Sequence, residues 1–200
     1  MKPQYRIYIL AALAIVAVAG ILAYKNSKLV ANQAQTASTV AQAPTAESAA
    51  AEQKFIEQMI AHHADAIGMA QIAPDKAKNP EVKALAANIG SAQQKEIDEM
   101  KSWYKAWFNK DIPEMTDMSG MSEQSGNMMN QLRTAGNFDL AFVTQMIPHH
   151  QAAVTMAKDV LPQATHQQLK DLATLIITGQ TAEIAQMQKL KQTLEQTPAQ

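Results

Sequence analysis

Met59-Ile60-Ala61-His62-His63-Ala64-Asp65-Ala66-Ile67-Gly68-Met69 decides the fold, because it occurs twice. It returns as Met146-Ile147-Pro148-His149-His150-Gln151-Ala152-Ala153-Val154-Thr155-Met156, so four of the five histidines lie in one repeated pattern, M-x-x-H-H-x-x-x-x-x-M. The repetition runs well beyond the motif. Phe55, Leu85, Ile89, Gln93, Glu96, Ile97 and Met100 recur as Phe142, Leu172, Ile176, Gln180, Glu183, Ile184 and Met187, every pair 87 positions apart. A constant offset of this kind means that a whole supersecondary unit is duplicated.

Apolar residues identify that unit. Phe55, Met59, Ala66, Met69 and Ala70 recur at three- and four-residue steps, which predicts a helix that begins near Glu52 and stops before Pro74. Asn79-Pro80-Glu81 supplies a cap, a proline at the first helical position and an acid in the first turn. A long second helix therefore carries Val82, Leu85, Ile89, Ile97, Met100, Tyr104 and Trp107 to about Asn109. Asn137 caps a third helix that ends by Pro162, and Thr165 with Gln168 form a capping-box pair ahead of a fourth. Two hairpins, each with one apolar face, bury those faces against each other. The expected fold is all-α, an antiparallel four-helix bundle over residues 52–197.

The flanks differ from this core. Lys2 and Arg6 precede an apolar run from Ile7 to Tyr24, and Ala17-Val18-Ala19 offers small residues for a signal peptidase, so 1–25 reads as an export signal or membrane anchor. Residues 26–51, rich in Ala, Gln and Thr, read as a flexible tether. Between the hairpins, Pro113, Gly120, Gly126 and Gly136 argue against one continuous helix and predict a Met-rich crossover loop over 111–136. Export to the periplasm or an equivalent space is expected, with any membrane contact made through the N-terminal segment.

Composition narrows the chemistry. A formal charge of −1 gives no basic excess for nucleic acid. Zero Cys excludes disulfides, thiolate catalysis and Cys-ligated zinc or iron-sulfur sites, while twelve Met supply thioethers as the one soft ligand type. On a helix, Met59 lies one turn from His62 and His63, close enough to share an ion, whereas Met69 lies two turns beyond. Each copy thus reads as a half-site that the partner helix of its own hairpin completes, with Gln93, Glu96 and Met100 in one half and Gln180, Glu183 and Met187 in the other. Glu96 and Glu183 are the expected orienters of the imidazoles. Thioether and imidazole suit Cu(I), with Ag(I) as its mimic, and the carboxylates that a di-iron bundle needs are missing. Met115, Met118, Met121, Met128 and Met129 form a further run of thioethers in the crossover, a second soft place for copper.

Methionine on a helix stripe is more often core filler than ligand, which applies most to Met69, Met100, Met156 and Met187. His166 has no repeat mate and reads as a surface residue, and Trp103, Tyr104 and Trp107 as the closure of one bundle end. Pro148, which has Ala61 as its counterpart, predicts a disturbed third helix and two unequal sites.

Met-Ile-Pro-His-His-Gln-x-Ala-Val-x-Met-Ala at 146–157, with its sister copy at 59–70, resembles the ferritin-like family long labelled a domain of unknown function. The resemblance spans about 52–195. It implies a four-helix bundle, periplasmic copper binding through Met and His, and no catalytic activity. Carried over residue by residue, it points to Met59, His62, His63 and Met69, and to Met146, His149, His150 and Met156. The expected function is a non-enzymatic copper chaperone or buffer in copper resistance, with an envelope copper-efflux or copper-receiving protein as the expected partner. A ferritin-like oxidase and an envelope adaptor that binds no metal are the rivals.

Overall fold

The computed structural model describes residues 45–113 and 123–196. The export segment, most of the tether and Met115, Met118 and Met121 lie outside the described residues. Within them the chain forms six helices and no strand: α1 Ala46–Ala70, α2 Ala73–Lys76, α3 Pro80–Phe108, α4 Glu123–Thr134, α5 Phe138–Val160 and α6 Gln167–Gln196. None is long and apolar enough to cross a membrane.

Helix ends follow the expected caps in part. Asn79 accepts hydrogen bonds from the N–H groups of Glu81 and Val82 through its side chain, and Asn137 accepts from Leu140. Asn109 takes the left-handed conformation (φ 50°) that ends α3. Three expectations need correction. The first helix starts at Ala46, six residues before Glu52, because Thr45 caps it through the Ser48 N–H and the Ala-rich segment that follows has high helix propensity. The supposed crossover loop contains α4, which is covered on one side by packing against α1 and α5. The Thr165 capping box does not form, since the helix begins at Gln167 with His166 as its cap residue, and Thr165, one residue earlier, binds Glu52 of α1.

Helices α1 and α3 pack as one hairpin and α5 and α6 as the other, and the hairpins meet across α1 and α5. Their directions follow from the core, which is divided into two apolar clusters. One contains the C-terminal half of α1 (Ala66, Met69), the N-terminal half of α3 (Val82, Leu85, Ile89), the N-terminal half of α5 (Phe138, Phe142, Met146) and the C-terminal half of α6 (Met187, Leu190). The other holds the opposite halves: Phe55, Met59 and Ile60; Ile97, Met100 and Tyr104; Ala153 and Ala157; Leu169 and Ile176. Thus α1 and α6 run one way and α3 and α5 the other. The crossover must travel the length of the bundle, and α4 lies at its far end, with Met129 and Leu132 buried in the first cluster. Gly68 permits this approach: a Cβ there would stand 2.2 Å from the Met129 Cε. Met129 therefore lies on a helix and in the core, not in the loop expected for it.

The duplication also governs how the hairpins are tied. Glu52, fully buried, accepts hydrogen bonds from the N–H groups of Thr165 (2.7 Å) and His166 (2.9 Å) at the start of α6. Asp139, its counterpart in the second copy, accepts from the N–H groups of Lys78 (3.2 Å) and Asn79 (2.9 Å) at the start of α3. Each carboxylate caps a helix of the other hairpin, where the helix dipole favours negative charge. Burial would raise the Glu52 carboxyl, but the His166 N–H and ring, the Thr165 N–H and the His166 charge together hold it below the usual value. Replacing Glu52 with Ala leaves two buried donors without their acceptor, and should lower unfolding free energy by roughly 1–3 kcal/mol in urea titrations. Asp139→Ala should cost a similar amount, and unchanged midpoints for both would show the caps to be ornamental.

Candidate metal centre

The two apolar clusters leave a layer between them. On α1 the sequence passes from Ile60 in one cluster to Ala66 in the other, on α3 from Ile97 to Ile89, on α5 from Ala153 to Met146 and on α6 from Ile176 to Met187. His62, His63, Gln93, Glu96, His149, His150, Gln180 and Glu183 occupy these intervals. The polar residues of all four long helices therefore lie at one level, set by the helical period and the antiparallel register.

Two contacts repeat within the layer. His63 Nε2–H donates to Glu96 Oε2 at 2.6 Å, and His150 Nε2–H donates to Glu183 Oε2 at 2.8 Å. Each carboxylate belongs to the partner helix of the same hairpin, and each imidazole is completely buried while its carboxylate stays about a quarter exposed. An ionised acceptor at Nε2 fixes the proton there, so a neutral ring presents its Nδ1 lone pair. The Nδ1 atoms of both His63 and His150 are buried and have no hydrogen-bond partner in the protein.

The other two histidines link the hairpins. The rings of His62 and His149 are 3.7 Å apart between centroids, tilted by 38°. The within-hairpin partners Glu96 and Glu183 are found as expected, and the expectation lacked a contact across the hairpins: α1 packs on α5, and this brings both His-His pairs into a single central layer. Both ring nitrogens of His149 and the Nδ1 of His62 are buried without partners, as are the side-chain oxygens of Gln93 and Gln180. Burial, followed by the charges of His63 and His150 and against a hydrogen bond with the His149 backbone, lowers the His62 pKa to about 4. Burial and the neighbouring His62, His150 and His63 lower that of His149 to about 2. Both rings are neutral at pH 7, so their lone pairs are free of protons.

Thioethers flank the layer. Met59 and Met100 are fully buried in the cluster on one side, and their counterparts Met146 and Met187 on the other. Met69 lies seven residues beyond His62, about 10 Å along the axis, deep in the first cluster, where it packs rather than faces the histidines. Met156 is only partly buried and borders the second cluster, and Met128 is partly buried on α4. No group of three His, Asp or Glu side chains among the described residues forms a ready-made metal site. The five unpartnered ring nitrogens beside four thioethers fit a soft, low-coordinate ion and do not fit a carboxylate-bound di-iron pair.

Pro148 is exposed and lies within the continuous α5, so its missing N–H falls on the solvent side. His166 is not the surface residue expected. Its Nδ1–H donates to Glu52 Oε2 at 2.7 Å and its ring stacks on Trp107, with centroids 3.8 Å apart and planes 4° from parallel. Trp107 in turn stacks on Trp103, closing that end of the bundle. Glu52 and Asp139 were missed because each reads as an ordinary acid in a first turn, yet their shared offset of 87 was a usable signal.

The lowered values of His62 and His149 set a pH dependence for the metal-free protein. Above about pH 6.5 folded and unfolded chains bind the same protons at these rings. Below it the unfolded chain takes up protons that the folded one refuses, so stability is lost as pH falls toward about 4 for His62 and about 2 for His149. Thermal melting between pH 7 and 4.5 should show this fall, and His62→Gln with His149→Gln should flatten it; an equal slope in that variant would contradict the shifts.

Comparison with known proteins places the chain. The domain of unknown function DUF305 matches residues 52–191. A search of the curated proteins finds no match. Among solved structures, CopM in the Cu(II)-bound form is 44% identical, with 72% of this chain and 97% of that chain covered and a TM-score of 0.66. CopM in the Cu(I)-bound form is 43% identical over 72% and 96%, with a TM-score of 0.63. CopM soaked to an Ag-bound form is 44% identical over 71% and 96%, with a TM-score of 0.62. With the domain matched over most of its length and relatives this similar, the chain belongs to the DUF305 family.

Proposed function

We propose that this protein binds copper, as Cu(I), in the cell envelope and serves there as a chaperone or buffer that lowers free copper in copper resistance. One observation carries this: four buried imidazoles from two hairpins share a layer in which five ring nitrogens have no hydrogen-bond partner, with thioethers on both sides. Unsatisfied buried polar atoms each cost on the order of 1–3 kcal/mol, which an ion that accepts the lone pair each neutral ring offers would partly offset. His62, His63, His149 and His150 would supply nitrogen, and Met59, Met146, Met100 and Met187 are the thioethers nearest in sequence and layer. Glu96 and Glu183 would keep the rings turned. The CopM structures with Cu(I), Cu(II) and Ag support copper as the ion and silver as its mimic.

The protein acts by holding and releasing metal and is not an enzyme. Export by the N-terminal segment would place it where a copper-receiving or efflux partner operates, and Met115, Met118, Met121 and Met128 offer further thioethers for capture. Titration of Cu(I) against a competing chelator tests the central claim. Replacing His62, His63, His149 and His150 together by Ala should abolish tight binding, while Glu96→Ala or Glu183→Ala should weaken it roughly 10–100-fold. Wild-type protein that binds no tighter than the fourfold variant would end the copper proposal. A fourfold variant that keeps its fold and loses metal binding supports the copper reading, whereas one that loses stability in metal-free buffer, beside a wild-type protein that binds no copper, favours a purely structural role for the histidine layer.

A further inference from the structure

The four layer histidines are not equally enclosed. His63, His149 and His150 are buried, but His62 is only partly so, and it lines a groove of about 1430 Å³. The groove runs along the outer face of α1 between α3 and α4. Its walls include Met129 and Met156, the Asp65 carboxylate and the open backbone at Gly126. His62 thus borders the groove and also lies 3.7 Å from the His149 ring. No other layer histidine borders this groove.

The groove breaks the internal symmetry. The repeat mate of Met156 is Met69, which is fully buried, and the mate of His62 is His149, which is nearly so. Among the described residues α4 has no repeat mate: it leans on α1, where Ser125 Oγ–H donates to Asp65 Oδ2 at 2.6 Å, and forms the outer wall on this side. Asp65 is replaced by Ala152 in the second copy, so the carboxylate is also found on one side only.

We propose that copper enters and leaves the central layer through this groove, with Met156 and Asp65 at its wall and His62 as the residue that passes the ion to His149. A thioether and a carboxylate attract a soft cation without sealing it in, and a partly exposed imidazole in ring contact with a buried one shortens the step inward. The route rests on copper being the ion bound, and its failure is separable from failure of that assignment.

Stopped-flow exchange of Cu(I) with a chromophoric chelator provides the test, run beside equilibrium titration. Gly126→Trp adds a bulky ring to the groove wall at a position where a new Cβ meets no atom within 4 Å, and Ala61→Trp fills it from the α1 side. Gly179→Trp on α6, equally free of contacts and outside the groove, is the control. Uptake and release should both slow roughly tenfold in the groove variants while equilibrium affinity stays at the wild-type value, and Gly179→Trp should exchange normally. Circular dichroism melting identifies folded variants, and either folded plug suffices. Exchange as fast as wild type in a folded plug, or equal slowing in Gly179→Trp, overturns the route while leaving copper binding intact. Wild-type protein that takes up no Cu(I) removes the assignment and the route together.

Discussion

Four imidazoles at the centre of an apolar bundle are the constraint on which the structure turns. Charged, they would be buried away from water and would repel one another, and two of them are driven far below the ordinary histidine range, by burial first and by their neighbours second. Neutral, each ring must place one N–H and one lone pair. His63 and His150 solve half of this by donating to Glu96 and Glu183, carboxylates that reach in from the solvent edge and avoid the cost of full burial. Five of the remaining nitrogens, the Nδ1 atoms of all four rings and Nε2 of His149, are buried with nothing in the protein to meet them. An apolar core of the same shape would be more stable, so the layer is better explained by what it binds than by what it stabilises.

Holding such a layer at one level requires the hairpins to keep their register, and the reciprocal carboxylates do this. Glu52 and Asp139 join the beginning of each hairpin's first helix to the beginning of the other hairpin's second. A slip of either hairpin along the other would break both caps and leave helix N–H groups unsatisfied in a buried place. At the Glu52 end the His166 ring continues the link into Trp107 of α3, so three of the four long helices share one contact. The same register lays the His62 ring against His149, and the caps and the layer are in this sense one mechanical unit.

Much of this was legible in the residues. A constant offset with a 3.6-residue period is enough to predict two helical hairpins, and Asn79, Pro80 and Asn137 mark helix starts by chemistry that acts within one turn. Glu96 and Glu183 could be paired with histidines because both lie in a single hairpin whose turn sets the register. What could not be read was the packing of one hairpin on the other. Periodicity shows which face is buried but not its neighbour, so the His62–His149 contact and the crossing caps came only with the fold. α4 was hidden for a different reason. Its sequence, with Gly126 and several Asn and Gln, has weak helical signals of its own and gains its order from covering α1 and α5.

Duplication and function pull in different directions here. A perfectly twofold bundle would enclose both His pairs equally, and an ion bound among them would face the same barrier on either side. The single crossover cannot obey the twofold relation, because one connection joins two copies. By laying α4 against α1 it gives Met129 and Ser125 partners on one face only, and it leaves His62 at a groove while His149 stays enclosed. The asymmetry therefore arises from connectivity and needs no change in the repeated motif itself. A symmetric set of donors can hold an ion evenly, and the connection that joins the halves decides from which side it is reached.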